Sequence, residues 1–324
     1  MTSPEQAKII LIGCGMWGRN IARNLSALGA LAGVSDLDAA AAAEFSGQFH
    51  VPVVSFEDAL ANQHIDGLAI VTSAPSHAGL AVPALNAGKA VYIEKPLALT
   101  VDDAEKIAAA ATTNNRPVMV GHLIRHHAAF QAMLRLIQDG AIGAIRHIRA
   151  SRIAPGRIRD TESVLFDLCP HDLALIAALT DQEMPDRVQC HGFSHITDGV
   201  EDGVTAQLNF PSGITASIDA NWLNPQKTHQ LTVIGSNGAF VFDDTKDWPQ
   251  KLTQFTFEVT VADGQIGLNR DQGTAIDLTP AEPLKDEMQN FIDAASGKAK
   301  PLTDITEALF VQRVMARMQD ALDA

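Results

Sequence analysis

Apolar residues run in short unbroken blocks through the first third of the chain. Lys8 to Ile12 is one, closed by Gly13, and Leu31 to Val34, Gly67 to Val71, Ala90 to Ile93 and Val118 to Val120 follow it. Between these blocks the apolar positions return at helical spacing: Met16 to Leu28, with Trp17, Ile21 and Leu25 on one face, then Ala39 to Phe45, His77 to Ala87 and Val101 to Ala111. Strands that are apolar on both faces, separated by helices, predict a parallel, doubly wound α/β sheet of the Rossmann kind. After Gly121 the pattern changes to a helix from His126 to Gln138, a strand from Ile145 to Ile153 and a helix from His171 to Leu179. β-type segments then dominate: Arg187 to Phe193, Val204 to Phe210, Ile214 to Trp222, Gln230 to Ile234, Ala239 to Phe242 and Thr253 to Val261. Breakers such as Pro211-Ser212-Gly213 and Ser236-Asn237-Gly238 join several of them as hairpins. This half predicts an α/β domain with an open, mainly antiparallel sheet and helices on one face, closed by helices over Leu284 to Ser296 and Thr303 to Leu322. The division falls between residues 122 and 123, a Rossmann domain over 1–122 and a second domain over 123–324.

Composition narrows the class. A hydrophobic fraction of 46% with 19% charged residues supports a packed core and excludes a disordered chain. The net charge of -14 argues against nucleic acid or a membrane surface as partner. Three scattered cysteines, Cys14, Cys169 and Cys190, fit neither a disulfide framework nor a zinc site and point to a reducing compartment. With no signal-peptide pattern in Met1 to Lys8 and no long apolar run, the expectation is a cytoplasmic protein without a membrane span. Charge is uneven, however. Residues 123–159 hold Arg125, Arg135, Arg146, Arg149, Arg152, Arg157 and Arg159 against the single acid Asp139. Arginine suits bidentate recognition of phosphate or carboxylate, so this segment predicts a small anionic ligand, unless its arginines merely solvate an exposed face.

Three motifs carry candidate chemistry. Gly13-Cys14-Gly15-Met16-Trp17-Gly18 matches G-x-G-x-x-G directly after a strand and opens a helix, where successive glycines allow a tight turn, close backbone approach to a pyrophosphate and close helix packing. Asp36 ends the next strand, where a carboxylate accepts a bond from the ribose 2'-hydroxyl and repels a 2'-phosphate, which predicts NAD over NADP. Glu94-Lys95-Pro96 closes another strand at the edge where open parallel sheets bind ligands. Lys95 there either orients a substrate hydroxyl or is a solvated strand-end charge. Asp167 precedes His171 by four residues at an expected helix start. Either one fixes the tautomer of the other for proton transfer, or Asp167 caps the helix beside a satisfied histidine. His122 with His126, and His191 with His195, have ligand-like spacing, but no third ligand follows a motif, so no metal is expected.

Together these motifs resemble the glucose-fructose oxidoreductase, inositol dehydrogenase and MocA family over essentially the whole chain. The resemblance implies Lys95, Asp167 and His171 as the catalytic group, a cis peptide before Pro96, and a second-domain sheet that mediates a homodimer or homotetramer. It implies cofactor contacts from Gly13, Gly15, Met16, Trp17, Gly18, Asp36, Thr72, Ser73, His77, Glu94, Lys95 and His122. In the loop Thr72-Ser73-Ala74-Pro75-Ser76-His77, Ser73 and Ala74 replace the family's usual Pro and Asn. The segments Val120 to His127, Gly156 to Arg159 and Pro170 to Asp172 look most like nucleotide-sugar members, more narrowly the UDP-N-acetylglucosamine 3-dehydrogenases. That likeness implies NAD-dependent oxidation of the C3 hydroxyl of UDP-N-acetylglucosamine. The 3-keto sugar would pass to a partner aminotransferase, on the way to 2,3-diamino sugars of the lipid A type. Lys95, Arg125, Arg157, Arg159 and His171 are the expected substrate contacts. Competing readings are a dehydrogenase of a UDP-N-acetyl-hexosaminuronate, of a free sugar or inositol, and, in another class, a non-catalytic NAD-binding sensor.

Overall fold

The computed structural model describes residues 6–156, 158–160, 162–262 and 265–323. The first-third strands are β1 (Ile9–Ile12), β2 (Leu31–Ser35), β3 (Gly67–Ile70), β4 (Ala90–Ile93) and β5 (Val118–Val120). They pair in parallel in the order β2-β1-β3-β4-β5. β1, β3, β4 and β5 are buried at every position, as expected of strands covered on both faces. Helices α1 (Met16–Ala27), α2 (Ala39–Phe49), α3 (Phe56–Ala61), α4 (His77–Asn86) and α5 (Val101–Asn114) connect them. α3 is not among the helices expected from the apolar spacing, because six residues are too short to show a helical repeat. Ile10, Ile12, Leu68, Ile70, Val91 and Ile93 pack on α4 and α5 on one face of the sheet, and Ile9, Leu11, Ala69, Tyr92 and Met119 pack on α1 on the other.

The same α1 face takes Met288, Phe291 and Ile292 from α8 (Pro283–Ala295). The compact units are therefore not two consecutive stretches. Unit 1 comprises Met1–His126 and Glu282–Gln312, and unit 2 comprises His127–Ala281 and Arg313–Ala324. A single cut at residue 122 misses this. The apolar stripe of α8 shows that it must be buried, but not which sheet buries it.

Unit 2 is built on α6 (Ala128–Gln138), β6 (Ile145–Pro155), α7 (Val164–Leu179), β7 (Arg187–Phe193), β8 (Gly203–Asn209), β9 (Thr215–Asn221), β10 (Leu223–Gly235), β11 (Gly238–Asp243), β12 (Leu252–Ala262), β13 (Gln265–Arg270) and β14 (Thr274–Ala275). The sheet order is β13-β12-β11-β10-β6-β9-β8-β7, with β14 on β12. Every pairing is antiparallel except β6 with β9. Strict alternation along β9 buries Ala216, Ile218 and Ala220, while Thr215, Ser217 and Asp219 stay partly exposed, and α7 lies against β6, β8 and β9. The final helix, α9 (Ile305–Leu322), begins in unit 1 and ends in unit 2.

α7 begins seven residues before the expected start at His171. Pro170 reads as a helix breaker, since it has no N–H for the Phe166 carbonyl. Yet burial of Val164, Leu165, Cys169, Leu173, Leu175 and Ile176 along α7 outweighs that one bond. Ser163, not Asp167, is the residue that precedes the helix. Among the described residues no helix is long and apolar enough to cross a membrane.

Candidate active site

In an open parallel sheet the ligand crevice lies beyond the strand C-termini, beside the point where the strand order reverses. Here the chain runs from β1 outward to β2 and then returns to β3 on the other side of β1. Gly13 follows β1, Asp36 follows β2, Thr72 follows β3, Glu94 and Lys95 follow β4, and Gly121 and His122 follow β5, so the candidates of unit 1 share one edge.

The glycines behave as their spacing predicts. Gly13 has φ +107°, and a Cβ there would lie 2.6 Å from the Val71 carbonyl oxygen. A Cβ on Gly18 would lie 2.2 Å from the Gly13 oxygen, whereas one on Gly15 would meet nothing within 4 Å. The outer two glycines close the turn, and the middle one leaves open space for a ligand. α2, α3 and α5 are each capped by a side chain, Asp38, Ser55 and Thr100 respectively, but α1 has no side-chain cap and no acid in its first turn. Its amides, with the positive end of the helix dipole, form a cradle for phosphate, and these residues fit a dinucleotide. Asp36 is half-buried, accepting the Cys14 N–H at 2.6 Å and the Asp38 N–H at 2.8 Å, so its carboxylate is anchored to the glycine-rich turn itself. Met16 and Trp17 are exposed beside it.

Glu94 is a hub. It accepts bonds from the Trp17 indole, the Tyr92 hydroxyl at 3.0 Å and the Lys95 backbone N–H at 3.0 Å. The Lys95–Pro96 peptide is cis and Lys95 is partly exposed. In the neighbouring loop Thr72 Oγ1 meets Ser76 Oγ at 2.7 Å, and Ser73 is exposed.

Three of the expected contact residues are buried within unit 1. His77 is 1% exposed, its Nδ1 lies 2.9 Å from the Pro96 carbonyl and its Nε2 3.1 Å from that of Thr72. Burial favours the neutral imidazole, which has a single N–H and donates to one of these two carbonyls, and the ring lies between the two loops. His122 is buried with Nδ1 3.4 Å from Glu307 Oε1. Arg125, expected to meet an anionic substrate, is buried with its Nε donating to Glu307 Oε2 at 2.8 Å. The carboxylate that holds both comes from α9, 182 residues later than Arg125.

In unit 2, Asp167 accepts from Arg159 Nη2 at 2.7 Å and from the Trp222 indole at 3.2 Å. Arg159 also pairs with Glu162 at 3.0 Å. Asp167 and His171 sit four residues apart on α7, so they share one helix face. Arg157 lies outside the described residues. Arg152 on β6 makes a forked pair with Asp172 on α7, with Nη2 to Oδ1 at 2.8 Å, and both are buried. Arg125, Arg152 and Arg159, three of the seven arginines of segment 123–159, thus have carboxylate partners within their own units. Sequence reasoning missed Glu307, Asp172 and the Trp222 indole, since nothing local marks a carboxylate or indole as the partner of a residue 182, 20 or 55 positions away on another element.

His126 supplies a pH dependence. Burial, reinforced by the Arg125 and His122 charges, pushes its imidazole down to about 3. A histidine free in the unfolded chain titrates near 6.5, so the unfolded state binds the extra proton first as pH falls. The contribution of neutral His126 is complete above about pH 6.5 and is lost as pH falls toward 3. We expect the urea midpoint to drop between pH 7 and pH 5, and His126→Leu to flatten that drop. An unchanged slope in the variant would assign it to other groups, such as His229, which burial lowers to about 4.

Comparison with known proteins bears on the whole arrangement. Residues 7–122 match the oxidoreductase family with NAD-binding Rossmann fold, and residues 130–241 match the GFO/IDH/MocA C-terminal domain. A UDP-N-acetylglucosamine 3-dehydrogenase of Acidithiobacillus ferrooxidans is 29% identical over 285 residues, covering 88% of this chain and 87% of that one. The solved structure of a UDP-N-acetylglucosamine 3-dehydrogenase from that organism aligns with a TM-score of 0.85 at 26% identity, over 98% of this chain and 97% of that chain. Inositol 2-dehydrogenase 3 of Saccharopolyspora erythraea is 34% identical over 141 residues, 42% of each chain. A glycine-rich turn with its anchored aspartate, a lysine at the end of β4 and two matched domains lead to one assignment: the chain belongs to the GFO/IDH/MocA family of oxidoreductases, with an NAD-binding Rossmann fold in its first unit.

Proposed function

We propose that this protein is an NAD-dependent dehydrogenase that oxidises the C3 hydroxyl of UDP-N-acetylglucosamine to the ketone. The observation that carries this reading is the likeness to UDP-N-acetylglucosamine 3-dehydrogenase, which runs through both units and over nearly the full length of both chains. When bound, the nicotinamide supplies the acceptor for the C3 hydride. The chain supplies the remainder: the Lys95 ammonium donates to the C3 oxygen and orients it, His171 takes the hydroxyl proton, and Asp167 positions the imidazole from the preceding turn of α7. One C–H and one O–H bond break, a C=O bond forms, and the products are ketone, reduced cofactor and a proton. Arg159, joined by Arg157, is the remaining arginine assignment for the diphosphate. We place the protein in the cytoplasm, as a homodimer or homotetramer whose second unit binds substrate and carries the subunit contacts, and we assign an aminotransferase as the consumer of the ketone.

Dehydrogenation of a free sugar or inositol is a second reading. The internal pairing of Arg125, Arg152 and Arg159 favours it, because a neutral polyol needs no free guanidinium. One experiment separates the two: NADH formation is followed with UDP-N-acetylglucosamine, its uronic acid and free polyols, and the ketone is trapped by an aminotransferase, with NMR locating the amine. Amine at C3 is the expected outcome. Amine at C4, or turnover with the uronic acid or a free sugar alone, overturns the substrate assignment.

Cofactor choice follows from Asp36. A ribose hydroxyl bonded to its carboxylate is worth about 1.5 to 3 kcal/mol, roughly ten- to hundredfold in affinity, and a 2'-phosphate would be repelled. Asp36→Ala should therefore weaken NAD by that factor and narrow the ratio of kcat/KM for NAD over NADP. Equal efficiency with the two cofactors in the wild-type protein would remove this role from Asp36.

A further inference from the structure

At the strand end that carries Lys95, three oxygens meet inside unit 1. Tyr92 is fully buried on β4, its hydroxyl 3.0 Å from Glu94 Oε1 and 3.3 Å from Glu287 Oε2 on α8. A phenol has one proton and donates one hydrogen bond. With both carboxyls ionised, one of these contacts would set lone pair against lone pair in a dry interior, so at least one carboxyl carries a proton. The surroundings decide which. Glu94 is also met by the Trp17 indole N–H and the Lys95 backbone N–H, donors that favour the charged form. Glu287 is 1% exposed, and among the described residues its Oε1 has no hydrogen-bond partner.

We infer that Glu287 is held as a neutral carboxylic acid that donates to the Tyr92 oxygen, which turns the tyrosine proton onto the Glu94 carboxylate. Glu287 and Tyr92 are positioning residues in this arrangement. They fix Glu94, which ties the glycine-rich turn, through Trp17, to the turn that bears Lys95. Gly121 at the end of β5 supports the same reading from another strand: a Cβ there would lie 2.6 Å from the Tyr92 oxygen and 3.0 Å from each Glu94 oxygen, so only glycine leaves room for the relay. Burial raises both carboxyls, Glu287 well above its ordinary range with the Glu94 charge adding to it. Among the described residues, the ionisable groups acting on Glu287 are Glu94 and Tyr92. Of the other elements against α8, α1 contributes the neutral Trp17 to Glu94, and the turn over 123–126 carries His126 and Arg125, the latter bonded to Glu307.

The positioning role rests on the proposed dehydrogenase function, and the protonation does not, so two measurements are needed. Infrared spectra of protein carrying carboxyl-labelled glutamate, at about pH 7 where an ordinary glutamate of pKa about 4.3 is ionised, should show one protonated carboxyl band. The band should vanish in Glu287→Gln, persist in Glu94→Gln, and shift in Gly121→Ala, which alters no ionisable group. Its absence from the wild type, or its loss in Glu94→Gln with survival in Glu287→Gln, overturns the assignment. In turnover, Glu287→Gln keeps an N–H donor for Tyr92 and should match the wild type. Glu287→Leu should lose roughly tenfold or more in kcat, as for a misplaced catalytic group. Wild-type kcat in Glu287→Leu, or an equal loss in Glu287→Gln, overturns the positioning role. If the wild type turns over no UDP-sugar, the dehydrogenase reading of the substrate fails while the infrared result stands, and the NAD affinities of the two variants then compare the same positioning.

Discussion

Lys95→Ala and His171→Ala should each lower kcat about 10²- to 10⁴-fold, the range for a positioned acid–base group, while NAD affinity changes little. The asymmetry follows from how the parts are held. The cofactor cradle is made of backbone and anchored by Asp36 to the Cys14 amide, and neither substitution touches it. The Lys95 turn is held through its own backbone N–H to Glu94, which an alanine retains. On the proposed mechanism, what Lys95→Ala removes is the ammonium that orients the substrate oxygen, worth about 3 to 5 kcal/mol at the transition state on this range. Rapid-mixing measurement of NADH formation with separate titration of NAD binding checks both halves of the expectation. Near-normal turnover in either variant removes that residue from the chemistry. A loss of NAD affinity matching the loss of rate would instead show that the turn had collapsed.

Arg152→Met should produce the largest loss of stability. Asp172 is 3% exposed, and its two oxygens take the Nε and Nη2 of Arg152. Removing one partner of a buried ion pair leaves an uncompensated charge and costs about 3 to 5 kcal/mol. For a unit of this size that is a fall in unfolding temperature of roughly 6 to 20 °C. Arg152→Met with Asp172→Leu should recover most of it, because a packed apolar pair of similar volume removes the desolvation cost. Asp172 adjoins His171 on α7, so the single variant should also lose turnover and the double variant regain it. A single variant as stable as the wild type would mean that water reaches the site and solvates Asp172. Calorimetry of the three proteins decides the matter.

The same pair shows where charge counting along a sequence misleads. Seven arginines against one acid between residues 123 and 159 look like an anion site. Three of them spend their charge on carboxylates outside that window, Arg125 on Glu307, Arg152 on Asp172 and Arg159 on Glu162 and Asp167. Net charge over a window is a local quantity, whereas the potential at a site depends on every charge the fold brings near it.

Much of the fold is legible because the signals that specify it are local. Unbroken apolar blocks give strands buried on both faces, as in β1, β3, β4 and β5, and alternation gives strands buried on one, as in β9. The glycine turn is legible for the same reason: its φ and close contacts involve neighbours in one strand–turn–helix unit and the adjoining strand end. Asp36 and Lys95 are legible because a strand end in a parallel sheet is a known place. Local signals fail where two tendencies compete within one segment, and the start of α7 is the example, with Pro170 set against a continuous apolar face.

What the sequence by itself determined is therefore the alternation of elements, the dinucleotide cradle and the positions of Lys95, Asp167 and His171 along them. Tertiary structure alone decided that α8 completes the first unit, that His77, His122 and Arg125 are buried within it, and that Glu287 meets Tyr92 across 195 residues of chain. The reason is physical: backbone hydrogen bonding and side-chain periodicity act over a few residues, whereas the partner of a buried polar group is chosen by packing, which brings together residues from any distance in the chain.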